Sequence, residues 1–548
     1  MAELSEVEGI KAASKGLRGT LLDGLFSEAP GFEGGNAQLI KFHGIYQQRD
    51  RDQPKEQSPT SFMLRARMPG GRLSASQWLA WDALADEMGG GSLRLTTRQA
   101  LQLHGVVKQG LKATIQRIHA MSLSTLGACG DVVRNVTEAA NPWGRADLAQ
   151  LDALAESLSE HFKWRSRAYA ELWLDEAKQE LKDDKEPLYG EAYLPRKFKM
   201  AVTLAGHNDI DIYSNDLGFV ATLGPDGLVN GAFVLAGGGM GMTHGMASTF
   251  PRAADLLGWA PAASLLKVAE ACVVVHRDFG DRTNRKHARL KYVLAEKGVA
   301  WFRGQVEASA GIQLEQRSLP AWKTPSLLGW HARTDGTLAL GVHLLSGRLR
   351  DAPGRAPKAA VAEVVRRFSP TVQLTADQDL VLMGLAPQDK AEVEAILIRH
   401  GFSDYVSPSP IYDRALACPA LPTCGLALTE AERVVASLLR SVDSVLSALG
   451  LQQRAPVLRL TGCPNGCARP FNAEIGVVGQ MKGKYAIFIG GHPEGVRVAR
   501  LWKQKVDLDK VAETLQPLLA LWKAQSQPGE RLGEWVERTG FEALLAKL

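Results

Sequence analysis

Residues 93 to 105 read LRLTTRQALQLHG, and residues 372 to 384 read VQLTADQDLVLMG. Both carry L-T-x-x-Q-x-L-x-L-x-G, and the alternation at the end reads as a half-buried strand. Upstream of each pattern stands a Gly-Arg-Leu, at Gly71-Arg72-Leu73 and at Gly347-Arg348-Leu349. Between these points each copy has a helix-like stretch, Ala75 to Glu87 and Lys358 to Arg367. The unit reads strand–helix–strand, used twice. A second pair of matches follows in the same order. Asp216-Leu217-Gly218-Phe219-Val220 parallels Glu474-Ile475-Gly476-Val477-Val478, and each precedes a strand ending in glycines, Phe233 to Gly239 and Tyr485 to Gly491. Two matches in one order point to a duplicated ancestor.

The copies differ where chemistry would sit. The first has Arg98, Gln102 and His104 where the second has Asp377, Val381 and Met383. One copy presents a cation and hydrogen-bonding groups, the other an acid and apolar groups. The pattern predicts one working polar site, with the second copy kept for structure, so Asp377 is expected to tolerate asparagine.

Four cysteines cluster near the C-terminus. Cys418 and Cys424 enclose five residues, Cys463 and Cys467 enclose three, and 38 residues separate the pairs. The intervening chain predicts a helix, with Thr429 and Glu432 as a capping box, a stripe of Val434, Val435, Leu438, Leu439, Val442 and Leu446, and a stop at Gly450. Such an excursion returns the second pair, in a Pro-Asn-Gly turn after the strand Val457 to Thr461, toward the first. Four thiolates suit a cubane cluster. Zinc is the rival, although its pairs usually enclose two to four residues, and four buried structural cysteines are the plain alternative. Cys129 and Cys272 read as core residues.

Cations recur in segments that otherwise read as strands or turns: Arg65 and Arg67, Arg94 and Arg98, Arg134, then Arg196, Lys197 and Lys199. A further run holds Arg282, Arg285, Lys286, His287, Arg289 and Lys291. Singly, each is ordinarily a solvated or ion-paired residue. Together they suit a heavily anionic ligand, and the alternation of Lys197 and Lys199 along a strand aims both ammonium groups to one side.

The 548 residues exceed one core and imply several domains. Net charge is only +5, from 64 basic and 59 acidic residues, which argues against a nucleic-acid footprint and means that any working positive charge must be concentrated in one place. The N-terminus lacks the apolar run of a signal peptide, and the most apolar stretch, Phe233 to Met242, is broken by Gly237, Gly238 and Gly239. Six cysteines are too few for a disulfide scaffold, so a cytoplasmic enzyme without a membrane partner is expected.

The motifs LRLTTRQALQLHG, YLPRKFK, RDFGDRTNRKHARLKY, ACPALPTCGLALTEAER and TGCPNGCARP, with the arm residues Phe42-His43-Gly44 and Tyr46-Gln47-Gln48, resemble the sirohaem nitrite and sulfite reductase family. Within it they are most similar to the haemoproteins of assimilatory sulfite reduction. The resemblance covers nearly the whole chain. It implies an α/β (α+β) fold with pseudo-twofold duplication: an N-terminal arm (1–60), paired ferredoxin-like half-domains (61–128 and 326–402), a first sirohaem-binding α/β lobe (129–325) and a second α/β lobe with the iron–sulfur cluster (403–548). It also implies sirohaem and a [4Fe–4S] cluster as cofactors. Cys418, Cys424, Cys463 and Cys467 would hold the cluster, with Cys467 also on the sirohaem iron. Arg65, Arg134, Lys197 and Lys199 take the substrate and proton-delivery roles, and Arg98, Gln102, His104, Arg196 and Arg289 the sirohaem contacts. The activity implied is reduction of sulfite to sulfide. The alternative is reduction of nitrite to ammonia, a branch in which the second lysine of RKFK tends to be asparagine, so Lys199 favours sulfite. No flavin or NADPH signature is present, so electrons are expected from a separate flavoprotein reductase or ferredoxin. The glycines AGGGMG around Gly237 are expected to let sirohaem approach the backbone.

Overall fold

Each copy of the repeat builds a five-stranded antiparallel sheet, and each sheet is completed by the Gly-Arg-Leu strand of the other copy. The computed structural model describes residues 3–165, 168, 172–175, 177–179 and 186–548. The first sheet runs Ile45–Gln48, Ser61–Arg65, Leu101–Val106, Ser92–Leu95, Arg348–Arg350. The second runs Gly329–Ala332, Leu338–Val342, Leu380–Leu385, Thr371–Leu374, Arg72–Leu73. Exchange of the edge strands makes the halves mutually dependent, and it also leaves neither sheet open on that side.

The repeated motif spans a hairpin, where a single strand at its end was expected. Thr96 to Ala100 turn the chain between Ser92–Leu95 and Leu101–Val106, with Gln99 at φ +50°, and Gln378 stands at φ +71° in the equivalent turn. The reason for a glutamine at both places is a backbone-like bridge. Gln99 Nε2 donates to Glu138 O, and its Oε1 accepts from Glu138 N, both at 2.8 Å. The Gln378 amide reaches Ala417 O at 3.1 Å. Each glutamine thus stitches its hairpin to a short edge strand, Thr137–Glu138 or Leu416–Ala417. The expected half-buried strand is buried at every position except Gly105, because its polar face is covered too.

The two edge strands open two further sheets of matching topology. One runs Thr137–Glu138, Met200–Leu204, Leu217–Leu223, Val229–Ala236, Asp255–Pro261; the other runs Leu416–Ala417, Leu458–Thr461, Ile475–Met481, Lys484–Ile489, Arg500–Asp507. In both, the first three strands are parallel and the last two antiparallel. The repeat at Asp216 and Glu474 therefore marks the start of the central strand in each lobe.

Helices form where the sequence directs them. Ala75–Met88 starts at a capping box, with Ser74 Oγ accepting from Gln77 N at 3.2 Å and Gln77 Oε1 accepting from Ser74 N at 2.9 Å. Its counterpart Pro357–Phe368 starts on a proline at the first turn. Lys358 ties the two, 3.0 Å from Asp82 and 2.7 Å from Asp86. Val435–Ala448 buries Val435, Leu438, Leu439, Val442 and Leu446 on one face, as the stripe predicts. No helix among the described residues is long and apolar enough to cross a membrane.

The capping box expected at Thr429 and Glu432 does not form. The helix begins later, after Val434. The Thr429 hydroxyl contacts the Tyr485 hydroxyl at 3.2 Å and accepts from Gly483 N at 3.1 Å. Glu432 instead lies between two guanidiniums, paired with buried Arg94 and 2.7 Å from Arg348 Nε. One carboxylate therefore joins both half-domains to the second lobe. Removing it leaves two cations facing each other, so Glu432→Ala is expected to cost about 3 kcal/mol of unfolding free energy. Urea unfolding checks this, and a loss below about 1 kcal/mol would mean the site is wetter than it looks.

Candidate active site

One row of side chains crosses the first sheet: Arg65, Gln102, Arg94 and Arg348 are successive cross-strand partners. His104 lies two residues along the same face as Gln102. The equivalent row in the second sheet is Gly341, Val381, Gln373 and Arg72. Three cations and two hydrogen-bonding groups in one half thus stand where the other has glycine, apolar groups, one amide and one cation. Val381 and Met383 pack with Ala339 in a small apolar cluster, as expected for the structural copy.

On the first sheet, the Gln102 amide oxygen, oriented to suit its neighbours, accepts from Arg65 Nε at 2.8 Å. His104 Nδ1 meets Gln48 Oε1 at 3.1 Å, and its Nε2 is buried without a partner. Burial and the nearby Arg348, Arg94 and Arg65 hold the His104 imidazole well below its usual range, so it is neutral.

The second wall comes from the first lobe. Phe198 bridges Val133 in parallel, Arg134 N donates to Phe198 O at 2.8 Å, and Lys197 and Lys199 flank this pairing. Both lysines are half-buried, and neither ammonium has a hydrogen-bonded or ion-paired partner among the described residues. Burial, with Arg196 and Arg289 adding, brings Lys197 down to about 7. Burial, with Lys197 and Arg98, drives Lys199 well below its usual range. Two half-buried basic groups without a counter-ion are held back from protonation by burial, by one another and by the arginines, and an anion placed beside them would restore their charge.

Other expected contacts are already committed. Arg289 Nη2 lies 2.8 Å from Asp216 Oδ2, and the same carboxylate oxygen accepts from Lys199 N at 2.8 Å. Arg196 lies 3.4 Å from Asp131, which also holds Arg285 at 2.8 Å. Burial alone would raise Asp131, but Arg196, Arg285 and Lys11 bring it to about 2. Arg98 donates to Asn215 Oδ1 and Met200 O, both at 2.8 Å, and to Asn135 O, leaving its Nε buried without a partner. Arg134 donates through Nε to Ala128 O at 2.9 Å. These arginines are therefore oriented by the protein before any ligand arrives. Asp131 and Asp216 went unassigned in the sequence, although Asp216 opens the second repeat and has an acid, Glu474, as its counterpart.

The floor is the cysteine turn. Cys418 follows the strand Leu416–Ala417, and Cys463 follows Leu458–Thr461 just after Gly462. Cys418 Sγ accepts from Gly462 N at 3.3 Å and Cys463 Sγ from Asn465 Nδ2 at 3.5 Å. Gly462 leaves no room for a side chain, since a Cβ there would lie 2.6 Å from the Ala420 Cβ. Burial, with Cys467 adding, raises the Cys418 thiol and takes Cys463 to about 12. Cys467 is exposed, and Lys197 feels its charge. Arg51 in the N-terminal arm clasps the first pair, donating to Cys424 O and Ala427 O, both at 2.8 Å. Sequence reasoning missed it, because nothing local marks that contact.

The donor set fits a cluster and an anionic macrocycle. Thiols raised by burial and by each other ionise when metal binds them. Among the described residues no three His, Cys, Asp or Glu side chains converge on one ion position, as zinc would need. One cysteine to each iron of a cube suits two cysteine pairs on two loops better. Lys197, Lys199, His104 Nε2 and Arg98 Nε are the polar groups left for a second ligand. The expectation for AGGGMG is corrected in part. A Cβ on Gly238 would strike Tyr213 O, and one on Gly237 would come 2.6 Å from Leu294 Cδ2, so packing within the chain already demands these glycines.

The lysines also make a pH prediction for the cofactor-free chain. The folded value of Lys197 lies below the unfolded value of a lysine, and the raised cysteines oppose it only once unfolded thiols ionise, so between about pH 7 and pH 8 the unfolded chain binds more protons. Unfolding free energy should therefore rise with pH across that window. Urea unfolding at both ends checks the sign, and Lys197→Met should flatten the slope.

A fold of this kind, with cysteines facing a cationic wall, defines a redox enzyme for small oxyanions. The chain belongs to the nitrite and sulphite reductase family. It matches the nitrite and sulphite reductase 4Fe-4S domain over residues 155–314 and 417–548, and the nitrite/sulfite reductase ferredoxin-like half domain over 54–121 and 331–400. Among its relatives is the sulfite reductase [NADPH] hemoprotein beta-component of Myxococcus xanthus, 46% identical over 545 residues, 98% of this chain and 97% of that protein. The protein of the same description from Shewanella sp. (strain ANA-3) is 42% identical over 97% of this chain and 96% of its own length. The solved structure of the NirA protein of Mycobacterium tuberculosis shares the fold, with a TM-score of 0.80 at 23% identity, covering 99% of this chain and 98% of that one.

Proposed function

We propose that the chain is the sirohaem-bearing subunit of an assimilatory sulfite reductase, taking sulfite to sulfide with six electrons delivered by another protein. The observation that carries this reading is the exposed Cys467 within electrostatic reach of Lys197, which like its neighbour Lys199 has no counter-ion among the described residues. Sirohaem joined to a [4Fe–4S] cluster supplies a metal that binds a small oxyanion and accepts electrons singly.

Cys418, Cys424, Cys463 and Cys467 would hold the cluster, and Cys467 would also reach the sirohaem iron. Gln102, His104, Arg98, Arg196 and Arg289 would line the macrocycle, the last two braced by Asp131 and Asp216. Arg65, Arg134, Lys197 and Lys199 would surround the substrate. Gln102 holds Arg65 and the Ala128 carbonyl holds Arg134 before it arrives, so charge compensation by these two costs little reorganisation. A lysine near 7 is half protonated at neutral pH and can be reloaded after each proton it gives. Bisulfite plus six electrons and six protons yields hydrosulfide and three waters, so repeated proton delivery is a demand of the chemistry.

The relatives' names carry NADPH, and the glycines of AGGGMG serve internal packing. A flavoprotein reductase that handles NADPH is therefore the proposed donor, with ferredoxin as the alternative. Six free thiols suit the reducing cytoplasm, where we place the enzyme. The test is an absorption spectrum with iron and sulfide counts, then kcat/KM for sulfite and nitrite with an artificial donor. Haem bands, four irons per cluster and a preference for sulfite are expected. A higher value for nitrite would reassign the substrate, and a colourless protein would remove both readings.

A further inference from the structure

The loop carrying Cys467 is tied to both copies of the repeated turn. In the first copy, Thr97 Oγ1 donates to Cys467 O at 3.3 Å. Two residues on, Arg469 donates to Thr97 O at 3.3 Å and to Ala376 O at 2.9 Å. The same guanidinium pairs with Asp377 Oδ1 at 3.0 Å and with Asp211 Oδ2 at 2.6 Å. Asp377 is the residue that replaces Arg98 in the second copy. Asp211 is the first lobe's counterpart of Arg469, since each precedes a short 3-10 turn, Ile212–Ser214 or Pro470–Asn472. The two counterparts meet across the pseudo-dyad as an ion pair.

Both also stand in the left-handed region, at φ +49° and +52°. Residues with side chains are held there only where their surroundings over-determine them. Here the hold is ionic. Arg459, on the strand Leu458–Thr461 that leads into Cys463, pairs with Asp211 and lies 3.6 Å from Asp377. Arg414 lies 3.5 Å from Asp211 and 3.8 Å from Asp377. Three guanidiniums thus share two carboxylates where the lobes meet, and two of the three flank the cysteine turn in sequence.

We propose that Asp377 and Asp211 are positioning residues that act through Arg469 and Arg459 to fix the Cys463–Cys467 turn, and with it the sulfur of Cys467. The inference rests on the functional reading above, because only a thiolate shared between cluster and haem needs that sulfur so firmly placed. It replaces the expectation that Asp377 is spare. Where the first copy has the cation Arg98, the second copy has an acid that pairs with the arginine beside the cysteine turn.

The test compares Asp377→Asn, which keeps an acceptor for Arg469, with Asp377→Ala, which does not. In the purified holoenzyme, iron, acid-labile sulfide and the fraction of sirohaem magnetically coupled to the cluster are measured. The coupled fraction should fall about tenfold in Asp377→Ala and less in Asp377→Asn, with cluster iron and far-UV circular dichroism unchanged. Hydrogen exchange of residues 463–469 in the cofactor-free chain reads the same anchoring without either cofactor, and should quicken about tenfold in Asp377→Ala. Coupling and exchange both equal to the parent would overturn the proposal. Where the alanine variant fails to fold, the asparagine variant decides by the same two measurements. A parent protein lacking haem bands would sink the functional reading alone, since the exchange experiment still judges the anchor.

Discussion

Cys467→Ser is expected to cut sulfite turnover by on the order of a thousandfold while leaving the cofactor-free chain as stable as the parent. The two halves of that expectation have separate causes. The Cys467 side chain is exposed and so contributes little buried area, whereas Cys418 and Cys463 are buried. The one bond recorded to Cys467 uses its backbone carbonyl, which serine keeps. Stability therefore has little to lose. Function has much to lose under the proposed bridging role, because a serine hydroxyl is not ionised near neutral pH and would not replace a thiolate there. Thermal unfolding without cofactors and the visible spectrum of the holoenzyme check the two halves independently. An unaltered spectrum would refute the bridging role.

Lys199→Asn should move selectivity toward nitrite by about tenfold in the ratio of kcat/KM values. Lys199 lies among Lys197, Arg98 and Arg289, with Asp216 as the nearby acid. Removing one basic group, which an incoming anion would help to protonate, weakens attraction for every anion, and most for the anion that carries more charge. Sulfite is the more highly charged of the two near neutral pH, and it has one more oxygen to protonate and lose. An asparagine amide still donates a hydrogen bond, so nitrite retains a partner at that position. The expected sign is a larger fall for sulfite than for nitrite. Equal losses for both anions would show that Lys199 does not discriminate between them. Raising the pH should reduce the parent's advantage for sulfite, as Lys197 loses its proton through about 7.

The two lobes differ in how the cations between them are partnered. A pseudo-dyad creates two equivalent spaces between lobes. One sets Lys197 and Lys199, ahead of the strand Met200–Leu204, against the cysteines that follow Leu416–Ala417 and Leu458–Thr461. The other sets Asp209 and Asp211, which follow Met200–Leu204, against Arg414 and Arg459. That second space is a cavity bordered by Asp209, Asp377, Asp379 and Asp413 with Arg414.

Sequence alone determined what is local or repeated. The strand that ends the repeated motif, the stripe of Val435–Ala448, the spacing within each cysteine pair and the alternation of Lys197 and Lys199 are each written within one short stretch of chain. Side-chain periodicity and turn chemistry act over that range, so they survive in the sequence. Tertiary structure decided what depends on distant partners. The exchange of Arg72–Leu73 and Arg348–Arg350 between sheets, the pairing of Glu432 with Arg94, and the bracing of Arg196 and Arg289 by Asp131 and Asp216 join residues 65 to 338 positions apart. An acid placed that far from its arginine has no periodicity to betray it, and its charge reads as surface polarity until the fold buries it. Asp377 shows the difference most clearly, since the repeat marks it as a lost cation and only the folded chain makes it the partner of Arg469.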